Sequence, residues 1–206
     1  MVFQFVSLFG FESNKSLIKH GVPQGSVLGP LLFLIYINDL HRAIKNSHVF
    51  HFADDTNLLN INNSIHILQN QLNYDLKGLC QWLLANRISL NTAKTELILF
   101  RKPLQAIPNN LKIKINGKKL YPTESIKYLG LHLDEYLDGS SHCTLLQTKL
   151  QRVNGMIAKS RHFVNFSEIK SIYHSIFSSH MLYGCQIWGQ TDNKYFNKIK
   201  NFKIMP

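Results

Sequence analysis

The 206 residues include 23 Lys and Arg against 12 Asp and Glu, a net charge of +11, and 45% are hydrophobic. That content can bury a core in one large domain or two modest ones and argues against disorder. The longest apolar run, Leu31–Ile37, is about a third of the ~20 residues a membrane-spanning helix needs, so no membrane partner is expected. Cys80, Cys143 and Cys185 are widely spaced, which argues against a disulfide framework or a zinc site and fits a reducing compartment. The opening MVFQFVSLFG has neither a basic region nor a small-residue cleavage site, so no signal peptide is expected.

Charge is lopsided. Residues 1–100 hold 7 basic and 6 acidic side chains, leaving 16 and 6 for residues 101–206. A basic half of this kind favours a polyanionic partner, although a solvated lysine-rich face has the same composition.

In chain order, residues 1–20 read as an apolar β segment with a turn at ESNKS. GVPQGS then forms a glycine-containing loop, and Pro30 opens a helix that continues from Leu31 to about Ile44. The helix is apolar on every side, the pattern of one buried on every side. VFHF and NLLNI, separated by ADDT, read as a hairpin whose turn lacks the preferred glycine. Ser64 caps an amphipathic helix with apolar residues at Ile65, Leu68, Leu72, Leu76, Leu79 and Leu83, ending near Asn86.

Glu96–Phe100 reads as a buried strand, and Asn116-Gly117 marks a hairpin. Ile126–Leu133 is a strand interrupted by Gly130. After Ser140 three helices are expected: one marked by Leu146, Leu150, Val153 and Ile157, one capped by Ser167, and one capped by Asp192 with Tyr195, Phe196, Ile199 and Phe202. The fold class is α+β, with a mixed part over residues 1–138 and an all-helical, basic part over 142–206.

The adjacent carboxylates Asp54 and Asp55 are the sharpest chemical feature. Their repulsion is relieved by a divalent cation such as Mg²⁺, which proteins hold with one or two carboxylates plus waters and phosphates. Aspartate is equally a good turn residue. Lys94, just before a strand, can donate a proton or positive charge to a leaving phosphate, or simply snorkel from the strand end. Pro23, Gln24, Gly25 and Ser26 offer backbone N–H groups and an amide to a phosphate or a base. Tyr128, Trp82 and Trp188 occupy core-type positions.

The order of these segments resembles the reverse transcriptases of non-LTR retrotransposons, the jockey-like branch in particular. GVPQGSVLGPLLFLIYINDL is similar to the palm loop and helix that contact template and incoming nucleotide, which implies that role for Pro23, Gln24, Gly25 and Ser26. HFADDTNLL resembles the catalytic hairpin, implying metal-binding carboxylates at Asp54 and Asp55. NRISLNTAKTELILF is similar to the next palm motif and maps the family's lysine onto Lys94. IKYLGLHLD resembles the primer grip, which places Leu129 and Gly130 beside the primer end, and the helices ending in HSIFSSHMLYGCQIWG resemble the thumb. The resemblance implies RNA template, DNA primer and deoxynucleotides as partners, Mg²⁺ or Mn²⁺ as cofactor, and an intracellular location with action in the nucleus.

The family takes another catalytic carboxylate from a strand upstream of the glycine loop, in a context like AFD. Glu12, in FESN, has no likeness to it. The expectation is therefore a partial palm plus thumb with an incomplete two-metal site, inactive by itself. A non-catalytic nucleic-acid binder is the rival reading.

Overall fold

The computed structural model describes residues 3–18, 21–22, 25–108, 110–189 and 199. It is an α+β chain of helices and small two-stranded sheets, dividing into two compact units: Met1–Ala93 with Lys112–Lys119, and Lys94–Leu111 with Leu120–Pro206.

The first unit begins with four two-residue strands, β1 (Phe3–Gln4), β2 (Ser7–Leu8), β3 (Phe11–Glu12) and β4 (Ser16–Leu17). β1 pairs with β4 and β2 with β3, both antiparallel. Helix α1 (Gly29–Ile37) starts with Pro30 in its first turn and stops well before Ile44. A 3-10 turn, Leu40–Ala43, takes its place. β5 (His48–Phe52) and β6 (Asp55–Leu59) form an antiparallel hairpin, and α2 (Ile65–Ala85) ends at Asn86.

Leu72, Leu76, Leu79 and Leu83 are the buried leucines of α2, at the spacing of one helical face. The helix packs against the 3-10 turn and against β8 (Ile113–Ile115), whose two isoleucines are buried. Gly78 makes this approach possible: a Cβ there would lie 2.4 Å from the Ala43 carbonyl oxygen. β9 (Lys118–Leu120) pairs with β8 across Asn116-Gly117, both with positive φ, as a type I′ turn requires.

The second unit carries β7 (Leu97–Ile98), shorter and less buried than the strand expected over Glu96–Phe100. It pairs in parallel with β10 (Pro122–Thr123). β11 (Ser125–Tyr128) and β12 (Leu131–Asp134) form an antiparallel hairpin, so Gly130 turns the chain rather than interrupting one strand. Arg101 and Glu135 brace the region, with one guanidinium nitrogen 2.9 Å from both carboxylate oxygens.

Helix α3 (Ser140–Ser160) buries Leu146, Leu150, Val153 and Ile157. α4 (Phe166–Ile172) is capped by Asn165, not Ser167. The Asn165 side chain accepts from the Glu168 N–H, and the Glu168 carboxylate accepts from the Asn165 N–H. The glutamate three residues along selects the cap, and Ser167 falls inside the helix. A π-helical stretch, Tyr173–Ser178, leads to α5 (Ser179–Leu182) and α6 (Cys185–Trp188). The core gathers Leu131, Cys143, Leu146, Leu150, Phe177, Trp188 and Ile199 around α3. Trp188 is buried, while Tyr128 and Trp82 are half-buried. The helix expected after Asp192, with Tyr195, Phe196 and Phe202, lies outside the described residues apart from Ile199.

One packing expectation fails. α1 is apolar all round, yet of its residues only Ile37 is buried, and Leu34 and Ile35 are 50% and 65% exposed. An evenly apolar helix needs neighbours on every side, and the elements present in its unit do not supply them.

Candidate active site

The β5–β6 register pairs Phe52 with Asp55, so Ala53 and Asp54 alone make the turn. Ala53 has φ +51°, a slot where hairpin turns prefer glycine. Aspartate is at ease at the second position, and the tight turn places Asp54 and Asp55 at the tip, both exposed. No hydrogen bond among the described residues occupies their carboxylates, which leaves their oxygens free for a cation. Across the hairpin, His51 Nδ1 lies 3.1 Å from Thr56 Oγ1.

The base of this hairpin is held by a residue that the sequence reading missed. Asp75 on α2 is completely buried. Its carboxylate accepts from the backbone N–H groups of Lys45 and Asn46 at 3.0 and 3.1 Å, from Asn46 Nδ2 at 3.0 Å and from Ser47 Oγ at 2.6 Å. Asn60, just after β6, donates to the Asn46 carbonyl and to Ser47 Oγ. Both ends of the hairpin are thereby tied to one helix. Burial alone would raise the Asp75 pKa, but the bonds from Ser47, Lys45 and Asn46 outweigh it and hold the carboxyl below its ordinary value. The signal was in the pattern: Asp75 sits in the stripe of Leu72, Leu76 and Leu79, and a carboxylate on an apolar face needs donors brought to it.

Pro23 and Gln24 lie outside the described residues. Gly25 has φ +84° and is exposed, while Ser26 Oγ accepts from the Gly29 N–H at 3.1 Å and steadies the first turn of α1. In the second unit, Lys94 is exposed just before β7. Leu129 and Gly130 form the β11–β12 turn with φ +45° and +83°, unusual for a leucine. The Tyr183 hydroxyl donates to the Leu129 carbonyl, and a Cβ on residue 130 would meet the Tyr183 ring at 3.1 Å. Trp188 Nε1 in turn donates to the Tyr183 carbonyl at 2.9 Å. Beside its buried stripe, α3 exposes Lys149, Arg152 and Lys159 at helical spacing, one basic ridge.

With this geometry in view, comparison with known proteins is decisive. The family described as reverse transcriptase (RNA-dependent DNA polymerase) matches residues 2–133. The chain belongs to the reverse transcriptase family. It is similar to the RNA-directed DNA polymerase from mobile element jockey of Drosophila melanogaster, 31% identical over 206 residues that cover 95% of this chain and 22% of that protein. The jockey protein of Drosophila funebris is 29% identical with the same coverage. The probable RNA-directed DNA polymerase from transposon X-element of Drosophila melanogaster is 28% identical over 204 residues, covering 96% of this chain and 22% of that protein. The chain thus spans about a fifth of the length of these non-LTR retrotransposon relatives. No solved structure matches.

The reverse transcriptase family implies a divalent metal, and the hairpin tip can be tested for it. Asp54 and Asp55 meet the usual protein share of a Mg²⁺ site, two carboxylates with the remaining positions left to water and phosphate. Among the described residues no group of three or more His, Cys, Asp or Glu side chains could hold a metal. The tip therefore offers a divalent ion two carboxylates and, among the described residues, no third ligand of these types. No helix among the described residues is long and apolar enough to cross a membrane.

Proposed function

We propose that this chain is the catalytic-hairpin, primer-grip and thumb portion of an RNA-directed DNA polymerase, with a palm over residues 1–138 and a thumb over 142–206. The observation that carries this reading is the exposed Asp54-Asp55 pair at the tip of a tight hairpin within the matched span. In nucleotidyl transfer a primer 3′-hydroxyl attacks the α-phosphate of a deoxynucleotide, and the catalyst must gather and neutralise negative charge. Divalent ions supply that neutralisation when bound. Asp54 and Asp55 hold them, and the Asp75 clamp fixes the height of the hairpin.

Pro23, Gln24, Gly25 and Ser26 border the template and nucleotide, Lys94 offers positive charge to the leaving phosphate, and Leu129 and Gly130 touch the primer end. The basic ridge of α3 runs along the duplex. A further carboxylate from another strand is required for two ions, so the chain alone is inactive. The exposed apolar faces of α1 are the surface that the remainder of a full-length palm covers.

The test is primer extension on a homopolymer RNA template with Mg²⁺ or Mn²⁺. It compares this chain, its Asp54→Ala variant, and a version joined to the upstream palm and fingers of a jockey-like relative. Extension by the joined version alone, abolished by Asp54→Ala while duplex binding persists, is the expected outcome. Activity that survives Asp54→Ala sinks the site assignment. The second reading, a nucleic-acid binder without chemistry, is favoured by the α3 ridge. It wins if the joined version grips duplex but never extends a primer.

A further inference from the structure

The turn between β11 and β12 is gripped from outside the hairpin. Leu129 and Gly130 make it, with φ +45° and +83°. Two positive values are those of a type I′ turn, which matches the twist of paired strands but favours Asn, Asp or Gly at its first position. The pair Leu-Gly suits a type II turn better, with negative φ on the leucine and positive φ on the glycine. Local preference and observed form therefore disagree at one residue, Leu129. A turn of this kind has more than one accessible form, and a contact made to only one of them decides between them.

That contact comes from the segment joining α5 to α6. The Tyr183 hydroxyl donates to the Leu129 carbonyl, and the ring of the same tyrosine lies where a Cβ on residue 130 would meet it at 3.1 Å. The peptide joining the two turn residues is thus held from both ends. The next residues interlock in the opposite sense: Leu131, which opens β12, lies against Gly184, where a Cβ would come within 2.6 Å of its Cδ2. Leu129 can relax to negative φ only if that peptide moves or the strands splay, and the one segment opposes both. A hydrogen bond from a tyrosine that is 55% exposed competes with water, so its geometry must be fixed beforehand. Trp188 fixes it: the buried indole donates from Nε1 to the Tyr183 carbonyl at 2.9 Å.

We propose that Tyr183 is a positioning residue, whose hydroxyl holds the Leu129-Gly130 turn in its left-handed form. The inference rests on the polymerase reading for its consequence, which is that this form seats the primer end for attack. The hydroxyl touches no reacting group and acts through the Leu129 carbonyl. A primer end resting on a relaxed turn is still gripped along its duplex but is out of line with the nucleotide, which lowers kcat and leaves duplex affinity alone.

Tyr183→Phe tests this, because it keeps the ring against Gly130 and removes only the donor. In the ¹⁵N-labelled 206-residue chain, the NMR cross-peak between the residue 129 amide proton and its own α-proton reads the sign of φ, strong for positive values and weak for negative ones. It should be strong in the parent and weakened in Tyr183→Phe. It should be strong again when Leu129→Asn is added to Tyr183→Phe, because asparagine tolerates positive φ unaided. Primer extension is then measured in the version joined to a jockey-like upstream palm and fingers. There Tyr183→Phe should lower kcat about tenfold, within the ~10²-fold that a shift of about 1 Å can cost, with duplex Kd and urea midpoint little changed. An unchanged cross-peak in Tyr183→Phe, or an unchanged kcat beside an active parent, overturns the proposal. Loss of duplex affinity in step with kcat also overturns it, since the tyrosine would then grip rather than position. A joined parent that never extends a primer overturns the polymerase reading and the primer role with it, while the cross-peaks still decide whether Tyr183 holds the turn.

Discussion

Replacing Asp75 by alanine removes the carboxylate that ties the approach to β5 to helix α2. Four donors lose it: two backbone N–H groups, the Asn46 amide and the Ser47 hydroxyl. A hydrogen bond to a charged group contributes about 1.5–3 kcal/mol net, but four on one carboxylate are not additive, and relief of the buried charge offsets part of them. A loss of about 3–5 kcal/mol is expected, a large share of the ~5–15 kcal/mol that a domain has. Asp75→Asn keeps the shape and one acceptor oxygen, and should cost about half as much.

Urea unfolding gives the magnitude, and hydrogen exchange read by mass spectrometry gives the place. Peptides over residues 45–60 should exchange faster, while those over α3 should not change. Because the folded carboxyl has a lowered pKa, its contribution is full above the ordinary aspartate value of 3.8 and is lost as pH falls through the lower folded value. The parent should therefore shed this stability in acid, and Asp75→Ala should not. A cost below about 1 kcal/mol, or faster exchange spread evenly over both units, would refute the clamp.

Gly78→Ala should destabilise by about 1–3 kcal/mol, although alanine is the better helix former, because its Cβ meets the Ala43 carbonyl. A rise in urea midpoint would show that the close approach relaxes freely. Charge reversal at Lys149, Arg152 and Lys159 should weaken duplex binding and reduce the slope of log affinity against log salt by about 0.9 for each phosphate no longer neutralised. An unchanged slope would mean that α3 does not grip the duplex.

Much of this fold was legible because local rules and tertiary packing agreed. The leucine spacing and the flanking Ser64 and Asn86 delimit α2 correctly, and Asn116-Gly117 turns where its backbone preference says it should. The hairpin at Asp54-Asp55 was readable from its flanking apolar runs even without glycine, since the twist of the paired strands forces Ala53 into positive φ. Other features depend on partners distant in sequence. Asp75 looks like a blemish on an apolar stripe until Lys45, Asn46 and Ser47 are brought to it, and His142 occupies a similar place on the buried face of α3. The exposure of α1 was illegible for the opposite reason: uniform apolarity announces burial but not whether the covering elements are at hand.

The Tyr183 contact sets a timetable for synthesis. Leu129 is made 54 residues before the tyrosine whose hydroxyl holds its carbonyl. At ~5–20 residues per second, the ribosome leaves that turn without its support for roughly 3–11 s. During the interval a leucine at φ +45° has only its own strands to hold it there. The β11–β12 hairpin is therefore a late-setting element, and a stall or truncation anywhere before Tyr183 would release a chain whose Leu129-Gly130 turn never sets.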